Sequence, residues 1–401
     1  MKINKVKKTI EGDQVKLSSR IETRQGSRDL WFAVDRKYEE YTVHETLDAF
    51  LMGLFIHAME LNEDIYLEAP VSEKLFYNLT NNLINLYSIL DKNFNIIDIH
   101  PKELTDKEMN PGSKNVATGF SGGIDSFSLL GDYYFKDLKT PNYKITHLIY
   151  NNVGAHGKNA RIFFDKRFHF LSKFGEEINR PFIKIDSNLY EMLDSSFMLS
   201  VYPRNVASLL ILQKLFSKYL YASSYTFKDF LTTGIYKLGY LDPLVYAMLS
   251  TESMESVLVG SERTRTEKTK QVASLEASHK HLYVCTDTSL DEVKNCSVCF
   301  KCSRTLLTLD ILGLQHLYKD VFDLEKFNKI KRFYIESILY DKDPFGKEIL
   351  QLASENNYRI PSISKFLGMK YIFPVTQSIR NNVPYSLRKN VKKIVGLDKM
   401  H

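Results

Sequence analysis

The spacing of apolar and polar positions changes along the chain. Residues 1–42 alternate apolar with polar side chains around a Gln-Gly-Ser turn at 25–27, which predicts a β-hairpin or small sheet. Apolar positions then recur at helical spacing over 44–59 and 75–90. With a short strand predicted at 95–99, this first part is expected to be an α+β domain, and it offers no recognisable chemistry.

From residue 114 onward, short apolar runs alternate with helical patterns, which is typical of a parallel sheet flanked by helices. The predicted strands are 115–119, 145–150, 182–185, 219–222 and 255–260, and helices are predicted at 158–174 and 206–217. Gly175 follows the first of these helices and is predicted to be its C-cap. The predicted fold class is α/β, with a doubly wound, parallel, five-stranded sheet.

The ends of the predicted strands indicate where a ligand would bind. In open parallel sheets, ligands bind outside the carboxyl ends of the strands. The loops at these ends are 121–126, 151–156, 186–188, 223–229 and 261–268. We therefore expect these loops to line one crevice.

A polar stretch at 101–114, with Pro-Gly-Ser at 111–113, predicts a domain boundary. Helical spacing returns at 305–318 and 323–339. We predict an N-terminal α+β domain, an α/β domain, a cysteine-containing segment and a helical C-terminal region with a basic tail. Their predicted bounds are 1–110, 114–280, 281–310 and 311–401.

Composition and charge narrow the class of protein. The 401 residues are 44% hydrophobic and 25% charged, which is typical of a globular protein. The net charge of +6 favours anionic ligands without by itself indicating nucleic acid. No run approaches the roughly 20 apolar residues of a membrane helix, and residues 1–8 lack the apolar core of a signal peptide. We expect a cytoplasmic protein with no membrane partner.

The end of the chain is basic. In residues 378–401 the single acidic side chain is Asp398. The basic residues of this stretch are Arg380, Arg388, Lys389, Lys392, Lys393 and Lys399. A solvated tail is the simpler interpretation of this composition. Contact with RNA or another polyanion is the alternative.

One loop has the composition of a phosphate cradle. After the strand predicted to end at Gly119, the chain reads Phe120-Ser121-Gly122-Gly123-Ile124-Asp125-Ser126, and a helical pattern follows. The glycines allow a sharp turn with N–H groups close to a ligand, and the helix would direct its positive end there. The loop lacks the Walker A lysine and the third glycine of the dinucleotide fingerprint. An ordinary glycine turn is the alternative.

All four cysteines of the chain fall in one short segment, at Cys285, Cys296, Cys299 and Cys302. A Cys-x-x-Cys turn directs two thiolates at one ion, and the other two cysteines would complete a tetrahedron. Four thiolates with no open position suit a structural zinc, whereas an iron–sulfur cluster uses the same ligands and stays an alternative. We predict a zinc that fastens the helical C-terminal part to the sheet.

The Ser-Gly-Gly-x-Asp-Ser sequence at 121–126 resembles the pyrophosphate loop of the ATP pyrophosphatase superfamily, whose α/β fold is of the HUP type. Together with the cysteine pattern, it resembles the 7-cyano-7-deazaguanine synthase branch. Segments 150–156 and 201–205 are similar to that branch's Asp-Tyr-Gly-Gln-x-His and Pro-x-Arg-Asn stretches, and Arg304 also has a counterpart there. The resemblance covers roughly residues 114–310.

Two stretches depart from that branch. Residues 221–229 do not match its Gly-x-Asn-x-x-Asp pattern, and residues 249–252 lack its Ser-Lys pair. We therefore expect the chemistry of the class with a different substrate pocket. The chain is not predicted to be the queuosine-pathway enzyme itself.

The resemblance implies an ATP-dependent synthetase that adenylates a substrate, which we expect to be a carboxylate, releases pyrophosphate and then transfers ammonia or another nucleophile. ATP and Mg²⁺ are the implied cofactors, with Asp125 as a candidate Mg²⁺ ligand. The residues expected to bind the nucleotide are Phe120, Ser121, Gly122, Gly123, Ile124, Asp125, Ser126, Asn151, Gly154 and His156. The residues expected to act in catalysis are Ser121, Asp125, Ser126, Arg204, Arg263 and Lys268.

Some of these residues have a simpler interpretation. Arg204 would bind a phosphate or carboxylate, with an ordinary surface charge as the alternative. Asn205 would cap the helix predicted to begin at residue 206. His156 would act as an acid or base, with a packed loop histidine as the alternative.

Three basic residues follow the last predicted strand, and we expect Arg263, Arg265 and Lys268 to stabilise negative charge. A solvated basic turn is the alternative. The expected partners are ATP, a small carboxylate and ammonia or a separate nitrogen donor, and we expect a homo-oligomer. Two other functions stay open: a tRNA base-modifying enzyme of the same superfamily, with the tail on tRNA, and a non-catalytic nucleotide-binding module of a larger assembly.

Overall fold

The computed structural model describes residues 1–155, 161–193, 197–232, 238–287, 292–340 and 343–360. The predictions for His156 and for the basic tail lie outside the described residues. The chain forms two compact units. Unit 1 comprises Met1–Ser121 and Ser128–Arg263, and unit 2 comprises Gly122–Phe127 and the described residues from Thr264 onward.

Both strands and helices are numbered in chain order. The strands are β1 (Lys2–Ile3), β2 (Lys7–Glu11), β3 (Gln14–Thr23), β4 (Gly26–Asp35), β5 (Ile65–Leu67), β6 (Val71–Ser72), β7 (Ile99–His100), β8 (Leu104–Thr105), β9 (Val116–Gly119), β10 (His147–Asn151), β11 (Phe182–Ser187), β12 (Lys218–Ala222) and β13 (Glu255–Val259). The helices are α1 (Asp48–Leu61), α2 (Glu73–Asn78), α3 (Ile84–Leu90), α4 (Ile124–Leu130), α5 (Arg161–Glu177), α6 (Leu189–Met192), α7 (Phe197–Leu210), α8 (Phe227–Thr232), α9 (Asp242–Val245), α10 (Arg265–Ala273), α11 (Glu276–His281), α12 (Phe300–Ile311), α13 (Leu324–Tyr340) and α14 (Pro344–Glu355). Two π-helical segments, Leu79–Leu83 and Gly131–Phe135, directly follow α2 and α4.

Unit 1 is built on one large, mostly parallel sheet, which makes the fold α/β. Its strand order is β13-β12-β9-β10-β11-β4-β3-β1-β5-β7, with β2 paired to β3. The five strands β13, β12, β9, β10 and β11 are parallel to one another, and they match the strands predicted from the sequence closely. The N-terminal strands extend the same sheet, because β4 pairs antiparallel with β11.

The strand order fixes where the direction of the crossover connections changes. From β9 the chain continues to β10 on one side, whereas from β12 it continues to β13 on the other. The switch point therefore lies between β9 and β12, at the carboxyl ends of these strands. Gly119 ends β9 in close contact with β12, since an added Cβ would lie 3.1 Å from the hydroxyl of Tyr219.

The core of unit 1 includes a helix that is buried on almost all sides. In α1 the buried residues run from Asp48 to Met59. A Cβ added to Gly53 would lie 3.1 Å from Leu189 Cδ1 and 3.6 Å from Ala207 Cβ, so the glycine permits close packing on α6 and α7. Among the helices within the described ranges, none has the length and apolar character needed to cross a lipid bilayer.

The predicted end of α5 is wrong. The helix continues through Gly175 to Glu177, and the residue with a left-handed backbone beyond it is Asn179, with φ of 50°. Gly175 has a packing role instead of a capping role. An added Cβ would lie 3.1 Å from Phe182 Cβ and 3.2 Å from the Arg180 carbonyl oxygen, so the glycine lets the helix approach the start of β11.

The predicted start of α7 is also wrong. The helix begins at Phe197 and includes Pro203, so Asn205 lies inside the helix and caps no N-terminus. Its Nδ2 donates to the carbonyl of Val201 one turn earlier, at 2.6 Å. Proline is usually found in the first turn of a helix because it lacks an N–H, whereas Pro203 lies in the second turn of α7.

Candidate functional site

The chain forms the predicted sequence of strand, glycine turn and helix at residues 116–130. Gly122 has φ of +72°, a left-handed conformation that glycine adopts without a steric penalty. Within unit 2, its carbonyl accepts a hydrogen bond from the backbone N–H of Tyr283 at 2.7 Å. The carbonyl of Gly123 accepts from the Ser126 hydroxyl and from the Phe127 N–H, both at 3.0 Å. The conformation of the turn is therefore fixed by hydrogen bonds.

Unit 1 holds the first residues of the same loop. The N–H of Phe120 donates to the carbonyl of Ile149 at 2.9 Å, and its ring stacks on Phe174 with centroids 4.7 Å apart. The carbonyl of Ser121 accepts from Nη2 of Arg167 at 2.9 Å. The buried Arg167 was missed by sequence reasoning, because no motif distinguishes it from other basic positions on α5.

In unit 2, two basic residues of α10 meet the aspartate of the glycine loop. Nη2 of Arg265 lies 2.7 Å from Oδ2 of Asp125, and Nζ of Lys268 lies 3.7 Å from its Oδ1. Lys268 is only 1% exposed, so the interpretation as a solvated turn does not hold for it. Asp125 therefore lies against two cationic side chains.

A third cationic side chain, that of Arg304, lies near Arg265. Arg304 is on α12 and is 6% exposed. Its guanidinium is 4.1 Å from the centroid of Phe345, and that of Arg265 is 5.2 Å from the same ring. Burial, with a smaller contribution from the charge of Arg265, lowers the pKa of Arg304 to about 10. Within the described parts of the chain, the Arg304 side chain contacts aromatic rings but forms no hydrogen bond or ion pair. We call Arg265, Lys268 and Arg304 the cationic cluster.

A capping box sets the position of α10. The Thr264 hydroxyl accepts from the Glu267 N–H at 3.2 Å, and the Glu267 carboxylate accepts from the Thr264 N–H at 2.7 Å. The prediction of a loop over 261–268 is therefore wrong from Arg265 onward. The Thr-x-x-Glu sequence is a helix-start signal that could have revealed this. Residues three apart on a helix share one face, so Arg265 and Lys268 point the same way.

Arg263 belongs to unit 1 and has different partners. Its guanidinium forms ion pairs with Asp132 and, at 3.0 Å, with Glu262.

Helix α14 supplies two residues that contact the cationic cluster, Phe345 and Glu348. The carboxylate of Glu348 accepts a hydrogen bond from the backbone N–H of Arg265 at 2.7 Å. No sequence signal pointed to these α14 residues.

A second polar group surrounds the end of β10 in unit 1. Nδ2 of Asn151 donates to Oδ1 of Asn205 at 3.1 Å and to the Ser208 hydroxyl at 2.7 Å. Arg204 is 3% exposed, so the interpretation as a surface charge is wrong. Its Nη1 donates to the carbonyl of Val153 at 3.2 Å.

The loop after β10 is shaped around Arg204. Gly154 has φ of +98°, and an added Cβ would lie 2.7 Å from Tyr190 Cβ and 2.9 Å from Nη1 of Arg204. Nε of Arg204 donates to the hydroxyl of Ser200 at 2.7 Å. Burial lowers the pKa of Arg204 to about 10. Arg204 therefore supports the loop that contains Val153 and Gly154.

The four cysteines are free thiols brought together in unit 2. Their Sγ atoms all lie within 4.8 Å of one another, with Cys285–Cys299 and Cys296–Cys302 at 4.0 Å. Tetrahedral zinc with Zn–S bonds of about 2.3 Å separates its sulfurs by roughly 3.8 Å. The cysteine cluster could therefore hold a metal ion such as zinc.

Hydrogen bonding around the cysteine cluster fits bound thiolates. The N–H groups of Asp287 and Cys296 donate to Sγ of Cys285, each at 3.4 Å, and the Cys299 N–H donates to Sγ of Cys296 at 3.2 Å. Contacts among the sulfurs, led by those from Cys285, lower the pKa of Cys299 and raise that of Cys302. A soft divalent cation would allow the thiols to ionise together.

Comparisons of the chain with protein-family models, with curated proteins and with solved structures found no match. The function must therefore be argued from the two clusters of unit 2. One is a buried group of cations beside a glycine turn, which suits an anion. The other is a set of four thiols, which suits a soft metal ion.

Proposed function

We propose that the chain is an ATP-dependent synthetase that adenylates a carboxylate substrate. The supporting observation is the cationic cluster, in which Arg304 is buried without an ion pair among the described residues. A buried charge without a partner costs several kcal/mol, and an anion bound beside it would remove most of that cost. The pyrophosphate portion of ATP is the anion implied by the Ser-Gly-Gly-x-Asp-Ser resemblance.

The proposed reaction has two steps. An oxygen of the substrate carboxylate attacks the α-phosphorus of ATP, and the bond to the bridging oxygen breaks with its electron pair leaving on pyrophosphate. Arg265, Lys268 and Arg304 would stabilise the negative charge that grows on this leaving group. Ammonia or another nucleophile then attacks the acyl carbon, and AMP leaves.

Asp125 has a positioning role in this proposal. Its carboxylate holds Arg265 at 2.7 Å and faces Lys268, so it orients both cations toward the glycine turn that Gly122 begins. Mg²⁺ would neutralise phosphate charge when bound, with Asp125 as the candidate ligand.

We further propose that the metal of the cysteine cluster is a structural zinc. Four thiolates fill its coordination sphere and leave no open position for a substrate. The ion would join Cys285 to Cys299 and Cys302, which lie at the start of α12, the helix that carries Arg304. In this way it would fasten the helical C-terminal part to the segment before the first cysteine.

The full chain, ATP, Mg²⁺, ammonium and a panel of carboxylic acids would test the reaction, with pyrophosphate and AMP measured as products. Lys268→Met should lower kcat/KM about 100- to 1000-fold, the usual effect of removing one group that stabilises transition-state charge. Lys270→Met is the matched control, since Lys270 is exposed on the same helix. It should retain full activity.

Either of two results would contradict the proposal. Formation of ADP and phosphate in place of AMP and pyrophosphate would exclude adenylation. Undiminished activity of Lys268→Met, with its fold verified by circular dichroism, would exclude a role for the cationic cluster.

A further inference from the structure

One buried amide side chain binds two other backbone segments of unit 2. Asn295 is 8% exposed, and its Oδ1 accepts from the Val284 N–H at 2.9 Å. Its Nδ2 donates to the carbonyls of Leu282, at 2.9 Å, and of Val321, at 3.0 Å. The backbone on both sides of Tyr283 is therefore held by a single side chain.

The segment that Asn295 holds also contacts the glycine turn and contains the first cysteine. The Tyr283 N–H donates to the carbonyl of Gly122 at 2.7 Å. Cys285 lies two residues further on, and Cys296 directly follows Asn295 in the chain. The N–H of Cys296 also donates to Sγ of Cys285, at 3.4 Å.

We infer that Asn295 is a positioning residue that couples metal binding at the cysteine cluster to anion binding at Gly122. A metal held by Cys285 and Cys296 fixes two points next to this amide: Cys296 directly follows Asn295, and Cys285 directly follows Val284, whose N–H donates to Asn295. The amide transmits that constraint to Tyr283, whose N–H holds the carbonyl of Gly122. The turn is then kept in its left-handed conformation before the anion arrives.

A second connection acts in the same direction. Cys302 lies on α12, and Arg304 follows two residues later on that helix. A metal that fixes the start of α12 therefore also limits the movement of Arg304. Coupling between two binding sites is reciprocal, so a bound anion should strengthen metal binding by the same factor that the metal strengthens anion binding.

The inference rests on the proposed function, and its test separates the two. Affinity for the magnesium complex of pyrophosphate would be measured calorimetrically on the full chain, zinc-loaded and metal-free. The zinc-loaded wild type should bind it about 5- to 150-fold more tightly, the range typical of coupled sites.

Asn295→Ala tests the transmitting residue. After cobalt substitution, the visible spectrum of a tetrahedral thiolate site should be retained, which shows that the four ligands still hold the metal. Zinc-loaded Asn295→Ala should nevertheless bind pyrophosphate at least about 5-fold more weakly than the wild type, and removal of zinc should change its affinity less. Asn356→Ala is the matched control, because Asn356 is an exposed asparagine of unit 2 whose Nδ2 donates to the carbonyl of Leu352 on α14. It should behave as the wild type.

The remaining outcomes are distinguishable. Equal pyrophosphate affinity with and without zinc, or wild-type affinity in zinc-loaded Asn295→Ala, overturns the coupling while the proposed function stands. Absence of pyrophosphate binding by the zinc-loaded wild type overturns the proposed function and the coupling together.

Discussion

At the scale of single residues, the electrostatics of Arg304 set it apart. Its guanidinium lies 4.1 Å from the centroid of Phe345, and Arg265 lies near the same ring. A cation–π contact recovers part of the hydration lost on burial but supplies no counter-charge. Burial lowers the pKa of Arg304 to about 10, which reflects the free-energy cost of burying its charge that the cation–π contact does not offset. We therefore expect the protein to be less stable than it would be with an apolar residue at this position.

Arg304→Met should separate stability from binding. Methionine has a similar length and no charge, so we expect the free energy of unfolding to rise by about 1–4 kcal/mol. Affinity for magnesium pyrophosphate should fall roughly 10- to 100-fold, as for the loss of a hydrogen bond to a charged group. Urea unfolding and calorimetry measure the two effects.

The control for this variant is Arg332→Met on α13. Arg332 is exposed and pairs with Glu336 at 3.2 Å, so neither stability nor pyrophosphate affinity should change appreciably. A less stable Arg304→Met protein with undiminished pyrophosphate affinity would show that Arg304 serves the fold and no anion.

At the scale of elements, the glycine turn and α10 depend on local backbone chemistry. Gly122 adopts φ of +72°, and α10 begins at a capping box formed by Thr264 and Glu267. Both features begin from local backbone preference, and the long-range hydrogen bond from the Tyr283 N–H then holds the turn at Gly122. The contact between them does require the tertiary fold, because Asp125 and Arg265 are far apart in the sequence yet lie 2.7 Å apart.

Gly122→Ala should lose both stability and pyrophosphate affinity. A side chain in the left-handed region costs about 1–2 kcal/mol, and relaxing this strain would move the carbonyl that accepts from Tyr283. Gly112→Ala is a matched control, since Gly112 has φ of +81° and an added Cβ there would meet nothing within 4 Å. We expect similar destabilisation in both proteins by chemical unfolding, with pyrophosphate binding lost only in Gly122→Ala. Equal binding by the two variants would contradict a role for the turn.

At the scale of the whole molecule, the two units are stabilised in different ways. Unit 1 has a continuous sheet and a large apolar core that includes α1. Unit 2 contains the cysteine cluster, so a metal ion bound there would add directly to its stability. The single tryptophan of the chain, Trp31, lies on β4 and reports on unit 1.

Metal removal should therefore act selectively on unit 2. A metal present at 100 times its dissociation constant stabilises the state that binds it by about 2.7 kcal/mol. We expect a chelator to lower the midpoint temperature of the thermal transition measured by helical circular dichroism. The midpoint temperature measured by Trp31 fluorescence should shift less. In Cys296→Ser, the chelator should have little further effect. Identical shifts of both probes in the wild type would contradict selective stabilisation.

Much of the local structure could be predicted from the sequence. The glycine turn follows from adjacent glycines after an apolar run, and the strands from β9 to β13 follow from short apolar segments. Two errors fell at Gly175 and Asn205, where residue types associated with helix ends lie within helices, and a third at Arg265, where α10 begins inside a predicted loop. In α7, tertiary packing outweighed the local signal, since residues ahead of Asn205 are buried, namely Ser200, Tyr202, Pro203 and Arg204. In α5, Gly175 is itself buried and packs against the start of β11.

The candidate site also has features that could be predicted from the sequence and features that could not. The cysteines could be grouped from their spacing, because metal ligands close in sequence need only a short turn to meet. By contrast, the burial of Arg304 and its contact with Phe345 depend on how α12 packs against α14. The sequence therefore determined the local elements and the ligand types, through backbone preference and side-chain chemistry. Only the tertiary structure decided which charges are removed from water, because burial depends on residues distant in the chain.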